Sequence, residues 1–143
     1  MIALDTNILV YAHRQDSPFH SAALDTLTLL GNGSAPWAIP WPCVHEFVSI
    51  TTHPRIYSPP TSIDTALIFL ENWFQSKSLL LLSEGETHFA HLTKLSRRAK
   101  LAGPKVHDAR IAALCLAHGV SLLYTADRDF SLFPELKTRN PLV

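Results

Sequence analysis

Four acidic residues stand where an isolated charge would be awkward to keep. Asp5 closes the apolar run Met1-Ile2-Ala3-Leu4 and is followed by Thr6, Asn7 and the apolar Ile8 to Tyr11. Glu46 lies inside a helical pattern of apolar residues that runs from Pro42 through Cys43, Val44, Phe47, Val48 and Ile50. Asp108 shares a helical face with Ile111, Ala112 and Cys115, three, four and seven residues on, so it prolongs an inward stripe. Asp127 sits in the polar segment Thr125 to Phe130, directly after the apolar stretch Ser121 to Tyr124. A carboxylate withdrawn from water needs a cation, a shell of hydrogen-bond donors or a raised pKa. If these four meet, with no matching set of bases, they outline a site for a hard cation such as Mg²⁺ or Mn²⁺. Such ions prefer oxygen ligands and commonly share their shell with a substrate phosphate.

Each acid also has a plainer reading on its own. Asp5 can cap the helix after it, Glu46 can be a solvated helix residue, and Asp127 or Asp129 can be turn formers. Asp108 can be a first-turn acid favoured by the helix dipole, an effect of roughly 0.3 to 1 kcal/mol. Separately these readings leave the common placement of the four unexplained.

The elements needed to bring them together can be read along the chain. Met1 to Leu4 predicts a strand buried on both faces, with Thr6 and Asn7 capping the next helix. Ser17-Pro18 predicts a helix start, and Gly31-Asn32-Gly33 its end after Leu30. Trp37 to Ile39 predicts a second strand, and the Glu46 helix follows until His53-Pro54. Past a proline-rich loop, Thr61 with Asp64 predicts a capping box for a helix to about Gln75, and Leu79 to Leu82 a third strand. Ser83 with Glu86 predicts another capping box, opening a helix that stops at Gly103-Pro104. Lys105 to His118 is apolar on almost every side and predicts a buried helix. Ser121 to Tyr124 predicts a fourth strand, and Arg139 to Val143 a short fifth. Alternation of this kind predicts one α/β domain over residues 1–143, a three-layer α/β/α sandwich on a mainly parallel sheet of four to five strands. In such sheets ligands bind beyond the carboxyl ends of the strands, which is where Asp5, Glu46 and Asp127 fall.

Composition bounds the function classes. The chain of 143 residues is 47% hydrophobic, with 12 basic and 12 acidic residues. That balance is uneven along the chain: residues 1–93 carry about −5 and residues 94–143 about +5. Lys94, Arg97, Arg98, Lys100, Lys105 and Arg110 form a basic cluster that suits either phosphate binding or a solvated helix face. Two cysteines, Cys43 and Cys115, sit in apolar helical patterns, which argues against a disulfide framework and for a reducing compartment. No signal-like segment and no apolar run near the ~18 residues of a membrane span is present, so a cytoplasmic protein with no membrane partner is expected.

Competing chemistries lack their residues. His45-Glu46 begins like a HExxH zinc motif, but Ser49 stands at the second ligand position. Five glycines provide no GxSxG, GxGxxG or phosphate-binding loop. The tryptophans fit core or interface positions better than a base-stacking platform, and His88 and His91 are expected at the surface.

Taken together, LDTNIL at the start, Glu46 in the third helix, VHDARIAALCLAHG at residues 106–119 and TADRDF at residues 125–130 resemble the PIN-domain ribonucleases, specifically the VapC toxins of toxin-antitoxin pairs. The resemblance spans nearly the full chain. It implies that Asp5, Glu46, Asp108 and Asp127 form an acidic quartet binding Mg²⁺ or Mn²⁺, with Asp129 as the other candidate for the fourth place. It assigns Thr6, Asn7, Thr125 and Asp129 to the supporting shell, and Arg97, Arg98, Lys100, Lys105 and Arg110 to RNA phosphates. It further implies a metal-dependent endoribonuclease, a homodimer and a VapB-type antitoxin docked on apolar surface around Trp41 to Tyr57. The alternatives are a catalytically silent RNA- or protein-binding module of the same fold, and a metal-dependent phosphatase.

Overall fold

A computed structural model describes all of residues 1–143. Five strands, β1 (Ile2–Leu4), β2 (Trp37–Pro40), β3 (Leu79–Leu82), β4 (Leu122–Tyr124) and β5 (Thr138–Arg139), form one sheet in the order β3-β2-β1-β4-β5. Every neighbouring pair is parallel. Six helices flank it: α1 (Thr6–His13), α2 (His20–Asn32), α3 (Trp41–Thr51), α4 (Ile63–Trp73), α5 (His88–Arg98) and α6 (Val106–Ala117). α1 packs on α2 and α3, α3 on α4, and α5 on α6. The result is the three-layer α/β/α arrangement expected from the alternation. β1 is central because Ala3 and Leu4 are wholly buried, and it pairs with β2 on one side and β4 on the other. The chain builds outward from β1 to β3, then crosses and builds outward again from β4. The order therefore reverses between β1 and β4, and the crevice above that reversal is where open parallel sheets bind ligands.

Local signals explain the ends of the elements, with some shifts of register. Asp5 itself caps α1, its side chain accepting from the Thr6 amide at 2.8 Å. α2 begins at His20 rather than Pro18, because Ser17 Oγ accepts from the Phe19 amide and holds a turn there. α4 is capped by Ser62, whose Oγ accepts from Thr65 N, so the expected Thr61 box is displaced by one residue. The expected Ser83–Glu86 box is absent: α5 starts at His88 with no side-chain cap, and the adjacent Glu84 is drawn into an ion pair with Arg110. Gly119, at φ +72°, provides the left-handed step that closes α6. α6 buries Ala109, Ile111, Ala112, Ala113, Leu114 and Cys115, as its all-round apolar pattern requires. His88 is only 9% exposed, which corrects its expected surface position; as the first residue of α5 it turns inward.

One half-buried histidine couples this packing to pH. His13, the last residue of α1, lies 4.3 Å from the Phe69 ring and 5.6 Å from Phe47, with Nε2 2.9 Å from Thr61 Oγ1. Its Nδ1 is buried without a partner. Burial, aided by Arg14 and His20, lowers the pKa below its ordinary value near 6.5. The folded chain thus binds fewer protons here than the unfolded chain, so stability falls as pH drops through about 6.5 and further below it. Thermal unfolding followed between pH 7.5 and 5 should show this loss, and His13→Leu should flatten the curve; an unchanged slope in the variant would remove His13 as its source.

Candidate active site

Asp5 lies at the carboxyl end of β1 and is 4% exposed. Its Oδ1 accepts from Thr6 N at 2.8 Å and from the thiol of Cys43 at 3.6 Å. Its Oδ2 accepts from Thr125 Oγ1 at 2.7 Å and from Asn7 Nδ2 at 3.3 Å. Asn7 also reaches Thr125 Oγ1 at 3.3 Å and accepts the Ala126 amide at 3.1 Å. Together with the backbone bond from Asp5 N to Tyr124 O at 3.0 Å, these contacts weld the loop after β4 to the start of α1. Thr6, Asn7 and Thr125 therefore support the acidic residue from three directions.

The same loop aims the fourth acid. Asp127 N donates to Thr125 Oγ1 at 2.9 Å, and Asp127 Oδ1 accepts from Asp129 N at 2.8 Å. Glu46 enters from the second turn of α3 and accepts from Thr6 Oγ1 at 3.2 Å. Asp108 projects from the first turn of α6. Asp5, Glu46, Asp108 and Asp127 all line one cavity of about 270 Å³, with Thr6, Asn7 and an apolar flank. A larger cavity of about 790 Å³ opens where Trp37 and Ser78 lead into β2 and β3, but Lys77 is the only ionisable residue lining it. It offers no comparable chemistry.

Electrostatics set the smaller cavity apart, because its four acids have no basic partner. The ion pairs of the protein are Arg14–Asp16, Arg98–Glu135, Lys105–Asp129 and Arg110–Glu84, and none includes Asp5, Glu46, Asp108 or Asp127. Burial raises the pKa of Asp5 against the donors Thr125 and Thr6, with Glu46 repelling it further. Burial likewise raises Glu46, with Asp108 adding repulsion, and raises Asp108, with Asp127 adding most of the rest. Oxygen atoms of Asp108, Asp127 and Asp129 come within 4.8 Å of one another, while Asp5 and Glu46 lie outside that tight group. Asp129 is exposed, does not line the cavity, and is held at 2.5 Å by Lys105 Nζ. Asp127 is therefore the better placed of the two candidates for the fourth position.

The donor set fits a hard cation. Its four acidic members are carboxylates, no histidine lines the cavity, and the nearby thiols stay protonated. Burial holds Cys43 well above its ordinary range and pushes Cys115 up to about 12. Both cysteines are free and buried. Cys43 was not singled out by its sequence, although its spacing of three residues from Glu46 places both on one face of α3.

The basic cluster is less free than its sequence suggests. Arg98, Lys105 and Arg110 each meet a carboxylate, leaving Lys94, Arg97 and Lys100 as exposed cations without an ion pair. The apolar surface around Trp41 to Tyr57 is also smaller than expected, since Pro42, Cys43, Val44 and Phe47 are buried in the core. α4 instead exposes Ile63, Leu67 and Ile68, at 52%, 45% and 53%.

A parallel α/β sheet with carboxylates gathered at its topological switch point places this chain among the open α/β proteins that bind ligands beyond the carboxyl ends of their strands. The PIN domain profile matches residues 2–136 of this sequence. The chain belongs to the PIN domain family. It is 31% identical over 142 residues to ribonuclease VapC43 of Mycobacterium tuberculosis, covering 99% of this chain and 96% of that one. It is 29% identical over 141 residues to ribonuclease VapC25 of the same organism, covering 99% of both. Among solved structures, VapBC2 from Rickettsia felis bound to a promoter DNA fragment aligns with a TM-score of 0.72 at 21% identity, covering 98% of each chain. VapC20 of M. tuberculosis, a toxin that cleaves the sarcin-ricin loop, aligns at 0.67 with 15% identity, covering 98% of this chain and 100% of that one. No helix is long and apolar enough to cross a membrane.

Proposed function

We propose that this chain is a single PIN domain acting as a divalent-metal-dependent endoribonuclease, the toxin of a VapBC-type pair. The observation that carries this reading is the convergence of Asp5, Glu46, Asp108 and Asp127 on one cavity with no basic partner. Mg²⁺ or Mn²⁺ bound there would polarise a phosphodiester, activate an attacking water and stabilise the leaving oxygen. Asp5, Glu46, Asp108 and Asp127 would hold the ion directly or through water. Asp5 is fixed in orientation by Thr6, Cys43, Asn7 and Thr125, so its carboxylate needs no reorganisation during the reaction. Glu46, half-buried and raised in pKa, is the residue best suited to accept the proton of the attacking water. Arg97 and Lys100 would contact flanking phosphates, with weaker contributions from Arg98, Lys105 and Arg110, whose charges are already partly met.

The ribonuclease names of the relatives that match almost the full chain support this reading. By the same likeness a VapB-type antitoxin is the partner, and the exposed strip on α4 is the apolar surface offered to it or to a second copy of the chain. The decisive experiment incubates the purified, antitoxin-free chain with RNA in Mg²⁺ or Mn²⁺ and again with a chelator. RNA should be cut internally only when the ion is present. RNA left whole would favour a binding module, and phosphate released from small esters with RNA intact would favour a phosphatase.

A further inference from the structure

The acidic cavity has a second wall that the metal chemistry does not use. Val10, Tyr11, Ile50, Tyr57 and Ile111 line it together with the carboxylates. At about 270 Å³ the cavity lies just below the ~300 to 1,000 Å³ of ordinary small-ligand pockets. That is room for one nucleotide unit and too little for a paired duplex.

Tyr57 stands out within this wall because of how it is held. Arg14 Cζ lies 4.2 Å from the centroid of its ring, covering one face. Arg14 cannot swing away: Nε and Nη2 reach Asp16 at 2.9 and 2.6 Å, and Nη1 reaches Pro59 O at 3.0 Å and Thr61 Oγ1 at 3.3 Å. Its charge is answered by Asp16 and its donors are engaged, so it is poorly suited to gripping a phosphate. What it does is fix an aromatic ring that lines the same cavity as the four acids. A cation behind the ring also withdraws electron density from it, which favours stacking against an electron-rich base.

We propose that Tyr57 is the base-stacking residue of this cleft, so that the substrate is RNA with an unpaired base next to the scissile phosphate. This rests on the ribonuclease reading and names the residue that would take up a base splayed out of the stack. Stacking of this kind tolerates any base, because every base has a π face. Selection would then come from which bases are free of pairing.

The test uses a single-stranded RNA oligonucleotide in which the cleavage position of the unaltered protein has been mapped, and the same oligonucleotide made abasic at each nucleotide flanking that position. Tyr57→Leu, which keeps an apolar side chain and loses the π face, should raise KM about tenfold, the scale of one base–aromatic stack. Its kcat and its Mn²⁺ titration midpoint should stay near those of the parent, and Tyr57→Phe should restore the low KM. On one of the abasic oligonucleotides the Tyr57→Leu penalty should vanish, because the stacked base is already gone. A penalty equal on intact and abasic RNA, no penalty at all, or a loss confined to binding of a protein partner would each overturn the assignment. Should the unaltered protein cut no RNA, the ribonuclease reading fails first, which is distinguishable from a silent Tyr57 substitution in an active enzyme.

Discussion

Asp108→Asn is expected to lose about a thousandfold in RNA cleavage while the metal-free protein keeps, or gains, thermal stability. The activity loss corresponds to ~4 kcal/mol of transition-state stabilisation, in the range assigned to metal-ion charge stabilisation. The stability expectation follows from the electrostatics. Burial raises the pKa of Asp108, Asp127 adds repulsion, and Lys105 only partly offsets them. A carboxyl with a raised pKa binds more protons in the folded chain than in the unfolded one, so its ionisation near neutral pH works against folding. Asparagine removes that charge at nearly the same volume. Its cost is the dipole contribution of a first-turn acid, about 0.3 to 1 kcal/mol. Cleavage rates with Mn²⁺ and unfolding temperatures with chelator, measured on the same preparations, check both halves. A variant that loses activity and stability together would mean that Asp108 is a structural residue.

Saturating Mg²⁺ or Mn²⁺ should raise the unfolding temperature of the intact protein by about 5 to 10 °C, reversibly on chelation. A ligand at a hundred times its Kd stabilises the native state by about 2.7 kcal/mol. For a chain of this size each kcal/mol moves the transition by roughly 2 to 4 °C. Relief of the repulsion among Asp5, Glu46 and Asp108 is one source of that affinity, and is already contained in Kd. Asp5→Asn should abolish the shift, since it takes away the carboxylate around which the donor shell is built. Calorimetry at matched ionic strength with Ca²⁺ and Na⁺ as controls makes the measurement specific. An equal shift from Na⁺, or one that survives Asp5→Asn, would place the binding elsewhere.

The sheet and much of the acidic site were legible because each rests on a local rule. Short apolar strands alternating with amphipathic helices leave few alternatives to a parallel sheet, and Leu79 to Leu82 forms β3 over the predicted residues. Asp5, Glu46 and Asp108 could be picked out because an acid next to apolar residues is costly wherever it lies, and Asp127 because it follows directly on the fourth strand. Register and charge pairing were harder to see. Whether Ser83 and Glu86 cap a helix depends on Arg110, 26 residues beyond Glu84, which competes for the same turn. Likewise, nothing local to the 94–110 cluster says that Arg98 finds Glu135, 37 residues away. Tyr57 left no signal at all: it sits in a proline-rich loop, and only the fold brings Arg14 over its ring. Cys43 was within reach, since a residue three positions before Glu46 on the same helix must face the same way.

The hydrogen bond between Thr125 and Asp5 spans 120 residues of sequence and closes the central strand against its neighbour. During synthesis the first strand therefore leaves the ribosome long before the segment that completes its surroundings. Until β4 is delivered, Asp5 lacks the hydroxyl that holds it and Asp127 has not been made. A nascent chain thus carries its first acids unassembled, and the cavity is completed only when about the last sixth of the polypeptide emerges.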